Sequence, residues 1–447
     1  MLKPGNEVAQ VFSVAKNKLR IKKPIRLFTS GGTEVLPGFP YHTLSNDSVL
    51  LVSSGEDFVG SVKQVESVTS PPATVHLMAQ TAYVDSDALL QLNKTATLPG
   101  VSLAVGFPDL CPGLRFPVGA AFAVKDRIYP ELIGGDIGCG MALWKVPPVN
   151  NVDRVSQRLK GLDQPWKGDV AALLTSYGLD PSLHTSALGT IGGGNHFAEL
   201  QTVHEVVDSV AFSSLGLHEN DTVLLVHSGS RSLGKAVLDN LLASTTSERV
   251  QNGVSLDEGT INFSEYIKSH DDACNWARCN RDLIGWRFCA MLYGRDETVI
   301  DTAWMESVAT KIIDIHHNNV EKKVMEEGNK DSCVWLHRKG AAPSDRGVVP
   351  IPGSRGAHTY LVLPQGSQVQ NAFSLPHGAG RRWARSQANS RISEKYKSNM
   401  DALYKTSLGS TVICEDRQLL VEEALKRTKK SKTLWKMSRE LLELLQL

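Results

Sequence analysis

The sequence predicts a mixed α+β fold, and three observations carry that reading. From Val101 onward, short apolar runs end again and again in glycine-rich polar turns, the pattern of strands feeding loops. Stretches of helical period lie between those runs. Hydrophobic residues make up 41% and charged residues 21%, which is ordinary for a globular chain with a sizeable core.

Taken in order, residues 1–75 read as an N-terminal extension or small β-rich unit, and residues 76–447 as one catalytic domain with a helical tail. In the first part, Ile25 to Phe28 and Ser48 to Val52 are apolar runs between Gly, Pro and Ser clusters. The basic N-terminus, with Glu7 as its only acid, leaves two readings, an organelle-targeting segment or a first strand with a solvated basic face. The stretch SDALLQLNKTATL reads as a helix with Ser86 as its N-cap. Further helices are expected over Val152 to Leu162, Lys235 to Ala243, within Asp271 to Leu292, and Thr302 to Val324. The lysine-rich tail from Arg417 is helical in period.

Composition also excludes several classes. The 447 residues exceed the usual size of one domain, and the formal net charge of +1 provides no global field for nucleic acid or membrane. Any nucleic-acid partner must therefore be met by local clusters of basic residues. The cysteines are seven, an odd number with no CxxC pair, which argues against a zinc ribbon or thioredoxin-like site and for a reducing, cytoplasmic setting. No apolar run approaches the ~20 residues of a membrane span.

The chemistry concentrates in a few turns. In GGDIGCGM, Asp136 and Cys139 are bracketed by glycines that let the backbone turn sharply and approach a ligand. A carboxylate and a thiolate on one loop suit a first-row divalent metal, and the thiolate can bridge two ions. Read alone, the segment is equally an ordinary glycine-rich turn with a buried cysteine. Five of the thirteen histidines share a context. His227 ends TVLLV, His337 ends CVWL, His377 opens HGAGRR, His196 follows GGGN, and His317 lies in DIHHNN on an apparent helix. Imidazoles together with Asp136 and Cys139 would fill two small metal sites of the kind that clamp a phosphoryl transfer. A neutral imidazole such as His377 is also a competent nucleophile toward phosphorus, with Arg381 or Arg382 to neutralise phosphate charge. Finally, GSRSLGKA nearly satisfies a Walker A loop, but Ala236 replaces the hydroxyl that would hold Mg²⁺. The segment is better read as an anion-binding turn at a helix N-terminus.

The segments GGDIGCGM, GTIGGGNHFAEL, VHSGSRSLG, HHN, HRKGA, PIPGSRG and PHGAGR stand in the order found in RtcB-type RNA ligases, over roughly residues 80–390. GGDIGCGMALW and the short loop after HRKGA most resemble a compact, release-factor-associated branch of that family. The resemblance implies mixed sheets and helices framing one deep cleft. It implies a GTP- and Mn²⁺-dependent ligase joining RNA with a 3′-phosphate or 2′,3′-cyclic phosphate to a 5′-hydroxyl. It further implies Cys139 bridging two Mn²⁺ ions, Asp136 and His196 completing one site, His227 and His317 the other, and His377 as the guanylylated nucleophile. By the same match Asn195, His196, Phe197, Ala198, Glu199, His317, Asn318, Pro352, Gly353, Ser354, Arg355, Thr359, His377, Gly378, Ala379 and Gly380 line the guanylate pocket, with Lys436 as candidate for the guanine-contacting lysine. RNA phosphates are expected to meet Arg231, Arg338, Lys339, Arg381 and Arg382, with or without an activating protein partner. The chain departs from the family at Cys111, where histidine is common, and at Ser232, Arg355 and Ala384. Those departures keep two alternatives in view: transfer or hydrolysis at RNA ends without joining, and a non-catalytic RNA-binding homologue.

Overall fold

The computed structural model describes residues 7–18, 21, 23–29, 34–36, 50–56, 73–79, 82–149, 152–183, 185–245, 253–326, 328–329, 332–353, 357–380 and 412–413. The chain divides into two compact units, Met1–Thr69 and Ser70–Leu447.

In the first unit the N-terminal segment is a helix, α1 (Glu7–Lys18), and not the strand that was one of its two readings. Val11, Phe12 and Ala15 share one side of the helix, and Ala15 is buried. Strands β1 (Arg26–Thr29) and β2 (Leu50–Ser53) pair antiparallel, and Arg26 is ion-paired to Glu34 at 2.7 Å.

The second unit is α+β, built on two main sheets. The first runs β12 (Asn318–Val324), β13 (Cys333–Lys339), β5 (Val118–Val124), β4 (Val101–Cys111) and β3 (Thr74–Leu77), with only the β3–β4 pair parallel. Helix α2 (Ser86–Ala96) lays Leu92 and Ala96 on this sheet against Ala104 and Phe122. Its N-cap is Asp85, which accepts from the Asp87 N–H, so the cap lies one residue before the expected Ser86.

The second sheet runs β11 (Thr310–His316), β7 (Gly140–Val146), β9 (Thr222–Ser228) and β8 (Phe197–Thr202), all antiparallel. Both of its faces are covered. Met141, Leu143 and Leu225 point one way, into a cluster with Ile313, Ile315, Ala342, Ile351 and Leu375. Ala142, Trp144, Leu224 and Val226 point the other way, against Ile284, Phe288 and Cys289. Those last three lie on the long helix α7 (Ile261–Tyr293), which ends at Gly294 with φ 69°. Each fully buried aliphatic side chain contributes roughly 1.5–3 kcal/mol, so this two-sided packing fixes the strand ends that carry the site.

The remaining elements are shorter. Helices α3 (Val152–Ser156), α4 (Val170–Ser176), α5 (Ser209–Ser214), α6 (Arg231–Ala243) and α8 (Thr302–Val308) connect strands. Three small pairs join β6 (Arg127–Ile128) to β10 (Leu256–Asp257), β14 (Ala341–Pro343) to β17 (Ser374–Pro376), and β15 (Val349–Pro352) to β16 (Thr359–Val362).

Two helical expectations fail. Helix α3 stops at Ser156 rather than near Leu162. The stretch Thr302 to Val324 is helical only to Val308, after which TKIIDIH and NNVEKKV are strands of two different sheets. Ile313 and Ile315 alternate with more exposed neighbours, a period of two that outweighs the helical spacing further upstream. His317 is consequently the single residue between β11 and β12, where one sheet hands over to the other. Among the described residues no helix is long and apolar enough to cross a membrane.

Candidate metal centre

The glycine-rich loop before β7 is shaped by its neighbours. Gly138 adopts φ +72°, and a Cβ there would stand 2.8 Å from the Cα of Cys274 on α7, so helix and loop touch backbone to backbone. The Gly138 N–H donates to the Asn318 carbonyl at 2.7 Å, and the His317 N–H donates to the Cys139 carbonyl at 2.8 Å. These bonds bring the start of β7 beside the joint between β11 and β12. His227 faces Met141 across the β7–β9 ladder, and His196 immediately precedes β8.

The five expected donors meet. Cys139 Sγ lies 3.4 Å from His196 Nε2 and 3.3 Å from His227 Nε2. His227 Nε2 lies 3.2 Å from His317 Nε2, and His196 Nε2 lies 2.8 Å from Asp136 Oδ2. Two triads result, Asp136–Cys139–His196 and Cys139–His227–His317, with donor atoms within 4.8 Å of one another and Cys139 common to both. Bonds of 2.0–2.3 Å at tetrahedral angles place donor atoms roughly 3.3–3.7 Å apart; the two Cys139 spacings fall in that range, the His227–His317 spacing lies just below it, and the 2.8 Å between His196 and Asp136 is a hydrogen-bond distance. Two Nε2 atoms face each other in the buried His227–His317 pair, a geometry open to a hydrogen bond between opposite tautomers or to a shared cation, and His317 Nδ1 is buried with no partner.

The electrostatics favour a metal. Burial, and then the charges of His377 and His227, hold His317 well below the usual imidazole range, so it is neutral and its lone pairs are available. Burial and then Asp136 push the Cys139 thiol far up. A divalent cation, if bound, would supply the charge that reverses this and would make the thiolate a ligand. Burial opposes ionisation of Asp136, but bonds from His196, the Cys139 thiol and the Arg231 N–H outweigh it and hold the carboxyl below its ordinary value. Arg231 opens α6, and its N–H reaches Asp136 Oδ1 at 3.2 Å. The expected anion-binding turn therefore exists, and the anion it holds is a side chain of the same protein. Gly229 makes room for it, since a Cβ there would stand 2.3 Å from Asp136 Oδ1.

His377 follows β17, its ring centroid 4.8 Å from that of His317 and 6.4 Å from that of His227. Asp109, fully buried on β4, accepts from the His377 backbone N–H at 3.1 Å and from Nδ1 at 2.8 Å. The proton is thereby placed on Nδ1, and Nε2 keeps its lone pair. Asp109 did not emerge from the sequence; its signal was an acid in an otherwise apolar strand, VSLAVGFPDLC.

The residues expected around a guanylate fall partly together. Asn195 precedes β8, and Phe197 in that strand meets His227 edge to face at 5.5 Å. Ala198 packs on the α7 side of the sheet, and Glu199 Oε2 accepts from Gln201 at 3.2 Å. Gln201 reaches Thr359 at 2.8 Å, and Pro352 pairs with Thr359 across β15–β16. The Gly353 N–H donates to the His358 carbonyl, and the Ala379 N–H to the Pro352 carbonyl, each at 3.1 Å. The turn His377–Gly378–Ala379–Gly380 is thus tied to the Pro352 loop. Asn318 uses its amide on backbone, donating to the Asp136 carbonyl and accepting from the Gly340 N–H. Ser354, Arg355, Arg381, Arg382, Ala384 and Lys436 lie outside the described residues.

Two basic-turn expectations change. Arg338 is fully buried, ion-paired to Glu321 at 2.5 Å and bonded to Ser374, so it cannot meet RNA. His337 is fully buried too, and its Nε2 accepts from the Tyr129 N–H at 2.9 Å, which makes it a structural residue. Lys339 is half-buried beside the Glu131 carbonyl, and burial lowers its ammonium to about 8.

The family model described as tRNA-splicing ligase RtcB matches residues 91–174 and 180–445. The chain is 40% identical over 349 residues to RNA-splicing ligase RtcB2 of an Escherichia coli strain, covering 76% of this chain and 84% of the relative. It is 27% identical over 374 residues to RNA-splicing ligase RtcB of Escherichia coli K12, covering 72% and 85%. It is also 27% identical over 419 residues to tRNA-splicing ligase RtcB of Archaeoglobus fulgidus, covering 76% and 85%.

Proposed function

Because the chain belongs to the RtcB family of RNA ligases, we propose that it joins RNA ending in a 3′-phosphate or 2′,3′-cyclic phosphate to RNA with a 5′-hydroxyl, using GTP through a histidine-bound guanylate. The observation that supports this most is His377, with its proton held on Nδ1 by buried Asp109 and its ring beside two metal-donor triads. In the first step Nε2 of His377 attacks the α-phosphorus of GTP. An N–P bond forms, the bond to the bridging oxygen breaks, and pyrophosphate leaves. Asp109 stabilises the positive charge that develops on the ring, as a carboxylate does behind any imidazole that gains a bond at its far nitrogen.

In the second step an oxygen of the RNA 3′-phosphate attacks the guanylate phosphorus and His377 departs. The RNA end then carries a phosphoanhydride with GMP as a good leaving group. In the third step the 5′-hydroxyl attacks the RNA phosphorus in line, GMP leaves, and a 3′,5′-phosphodiester remains. A cyclic phosphate must first be opened by water to the 3′-phosphate. Asp136, Cys139 and His196 would hold one divalent ion and Cys139, His227 and His317 a second, with Mn²⁺ as the expected occupant. When bound, the ions would supply Lewis-acid charge to the phosphoryl oxygens. The His377–Gly380 turn and the Pro352 loop would position the nucleotide, so that each attack begins from an aligned geometry.

The test is incubation with Mn²⁺ and α-labelled GTP beside a His377→Ala variant, followed by RNA joining. Acid-labile labelling that disappears in the variant, together with joined RNA, is the expected result. Labelling without joined RNA would reduce the activity to guanylyl transfer. No labelling of metal-loaded native protein would refute the proposal.

A further inference from the structure

Among the fully buried polar residues of helix α7 that the reaction above does not use are Asn280 and Arg281. Arg281 Nη1 donates to the carbonyls of Gly138 at 2.9 Å and Ser228 at 3.1 Å. Its Nη2 and Nε reach Asp314 at 2.6 and 3.0 Å, and Nη2 lies 3.2 Å from the ring of His316, whose Nδ1 donates to the same Gly138 carbonyl at 2.9 Å. Gly138 directly precedes Cys139, Ser228 directly follows His227, and His316 directly precedes His317. One guanidinium therefore touches the residue next to each donor of the Cys139–His227–His317 triad. Asn280 extends the link to the other triad. It donates to Ser228 Oγ at 3.1 Å and to the Gly229 carbonyl at 3.2 Å. Ser228 Oγ in turn donates to the Ile191 carbonyl, which also bonds His196 Nδ1 at 3.1 Å.

We propose that Arg281 is the positioning residue of the metal centre: its planar fork sets the register of the three donor-bearing strand ends, and so fixes the spacing of Cys139, His227 and His317. The inference rests on the metal-centre reading above. Stability alone gives a poor account of the arrangement, because a buried ion pair is often matched or bettered by apolar residues of the same volume. A lysine keeps the charge but offers one compact ammonium, which cannot serve two backbone carbonyls and Asp314 in the plane of a fork. Arg287 provides an internal control. It is on the same helix, is equally buried, and also bonds backbone carbonyls, those of Gln164 and Gly161 at 3.0 Å and that of Gly189, beside Glu297. None of Gln164, Gly161 and Gly189 adjoins a donor residue.

The experiment is a Co²⁺ titration of the full chain, read by ligand-field and thiolate-to-cobalt absorption, with thermal melting of the metal-free proteins alongside. Arg281→Lys is expected to weaken Co²⁺ uptake roughly 10- to 100-fold and to shift the ligand-field bands, as loss of an outer partner of a ligand does. Arg287→Lys is expected to lower the melting temperature and leave Co²⁺ uptake unchanged. Asp314→Asn, which is isosteric, is expected to weaken uptake in the same direction as Arg281→Lys and decides the matter if Arg281→Lys does not fold. Native-like Co²⁺ binding in Arg281→Lys or, where that variant does not fold, in Asp314→Asn would overturn the proposal, as would equal weakening in Arg287→Lys. Native protein that takes up no Co²⁺ would instead defeat the metal-centre reading, and this inference with it.

Discussion

Asp109 determines which nitrogen of His377 carries the proton, and that choice decides whether the ring can act as a nucleophile. With both the backbone N–H and Nδ1 bonded to Asp109 Oδ2, the ring has little freedom to flip. Asp109→Asn keeps the volume but offers an amide that can donate to Nδ1, so the proton can move to Nε2. The guanylylation rate at saturating GTP is expected to fall roughly 100-fold or more, by analogy with other carboxylate–imidazole pairs. Quench-flow labelling of His377 would measure it, and a rate equal to the native one would remove Asp109 from the mechanism. Cys139 makes a second demand at this scale, because it is the one residue common to both donor triads. Cys139→Ala is expected to abolish uptake of both ions, read as bound Mn²⁺ per chain by elemental analysis. One ion retained per chain would contradict the bridging role. Asp136, Cys139, His196 and His227 stood out by their glycine-rich turns or the end of an apolar run, whereas His317 lies in DIHHNN with no such mark, and the grouping of the five came from the family resemblance. Arg338 was misread from the same kind of local signal. HRKG looks like a basic turn, yet nothing local in the sequence shows that Glu321, on the neighbouring strand, takes its guanidinium into the core.

The elements show where local sequence stops being informative. Strands β7 and β9 were readable as apolar runs, because they are covered on both faces. The switch at Ala309 from helix to strand was not, because IIDIHHNNV contains apolar residues that fit either period until the partner strand β7 is known. His337 on β13 gives a prediction that belongs to its element. Burial holds it at about 4, below the ordinary 6.5, and it accepts a bond that only the neutral ring can accept. The unfolded chain therefore binds a proton that the folded chain refuses between about pH 6.5 and 4. Stability from this group is complete above pH 6.5 and is lost as pH falls through that window. The loss between pH 7.5 and 5 is about 2 kcal/mol. Urea melts of the native protein and His337→Gln at those two pH values should show a pH dependence smaller in the variant by about that amount. Equal dependence would mean that His337 is not what makes the fold acid-sensitive.

At the scale of the whole molecule, the division of the chain and the placement of the site bear on each other. Every donor, Asp109, His377 and the helix with Arg281 belong to Ser70–Leu447. The core clusters around the site are likewise built from that unit, whereas the first unit has its own buried residues in Ala15, Leu27, Phe28 and Val35. The family match begins at residue 91. A chemical step that needs only these groups should survive without the first unit. Removal of residues 1–69 is therefore expected to leave Co²⁺ uptake and guanylylation of His377 at native levels. RNA joining by the same truncated chain is then the informative quantity. With a formal net charge of +1, the protein must meet RNA phosphates through local basic residues. If joining is also unchanged, those residues lie within 70–447. If labelling persists while joining falls, and added salt weakens joining by the full chain but not by the truncated one, the basic N-terminal segment contributes to RNA capture. Loss of labelling itself would assign residues 1–69 to the catalytic centre, against a chemical step carried by residues 70–447 alone.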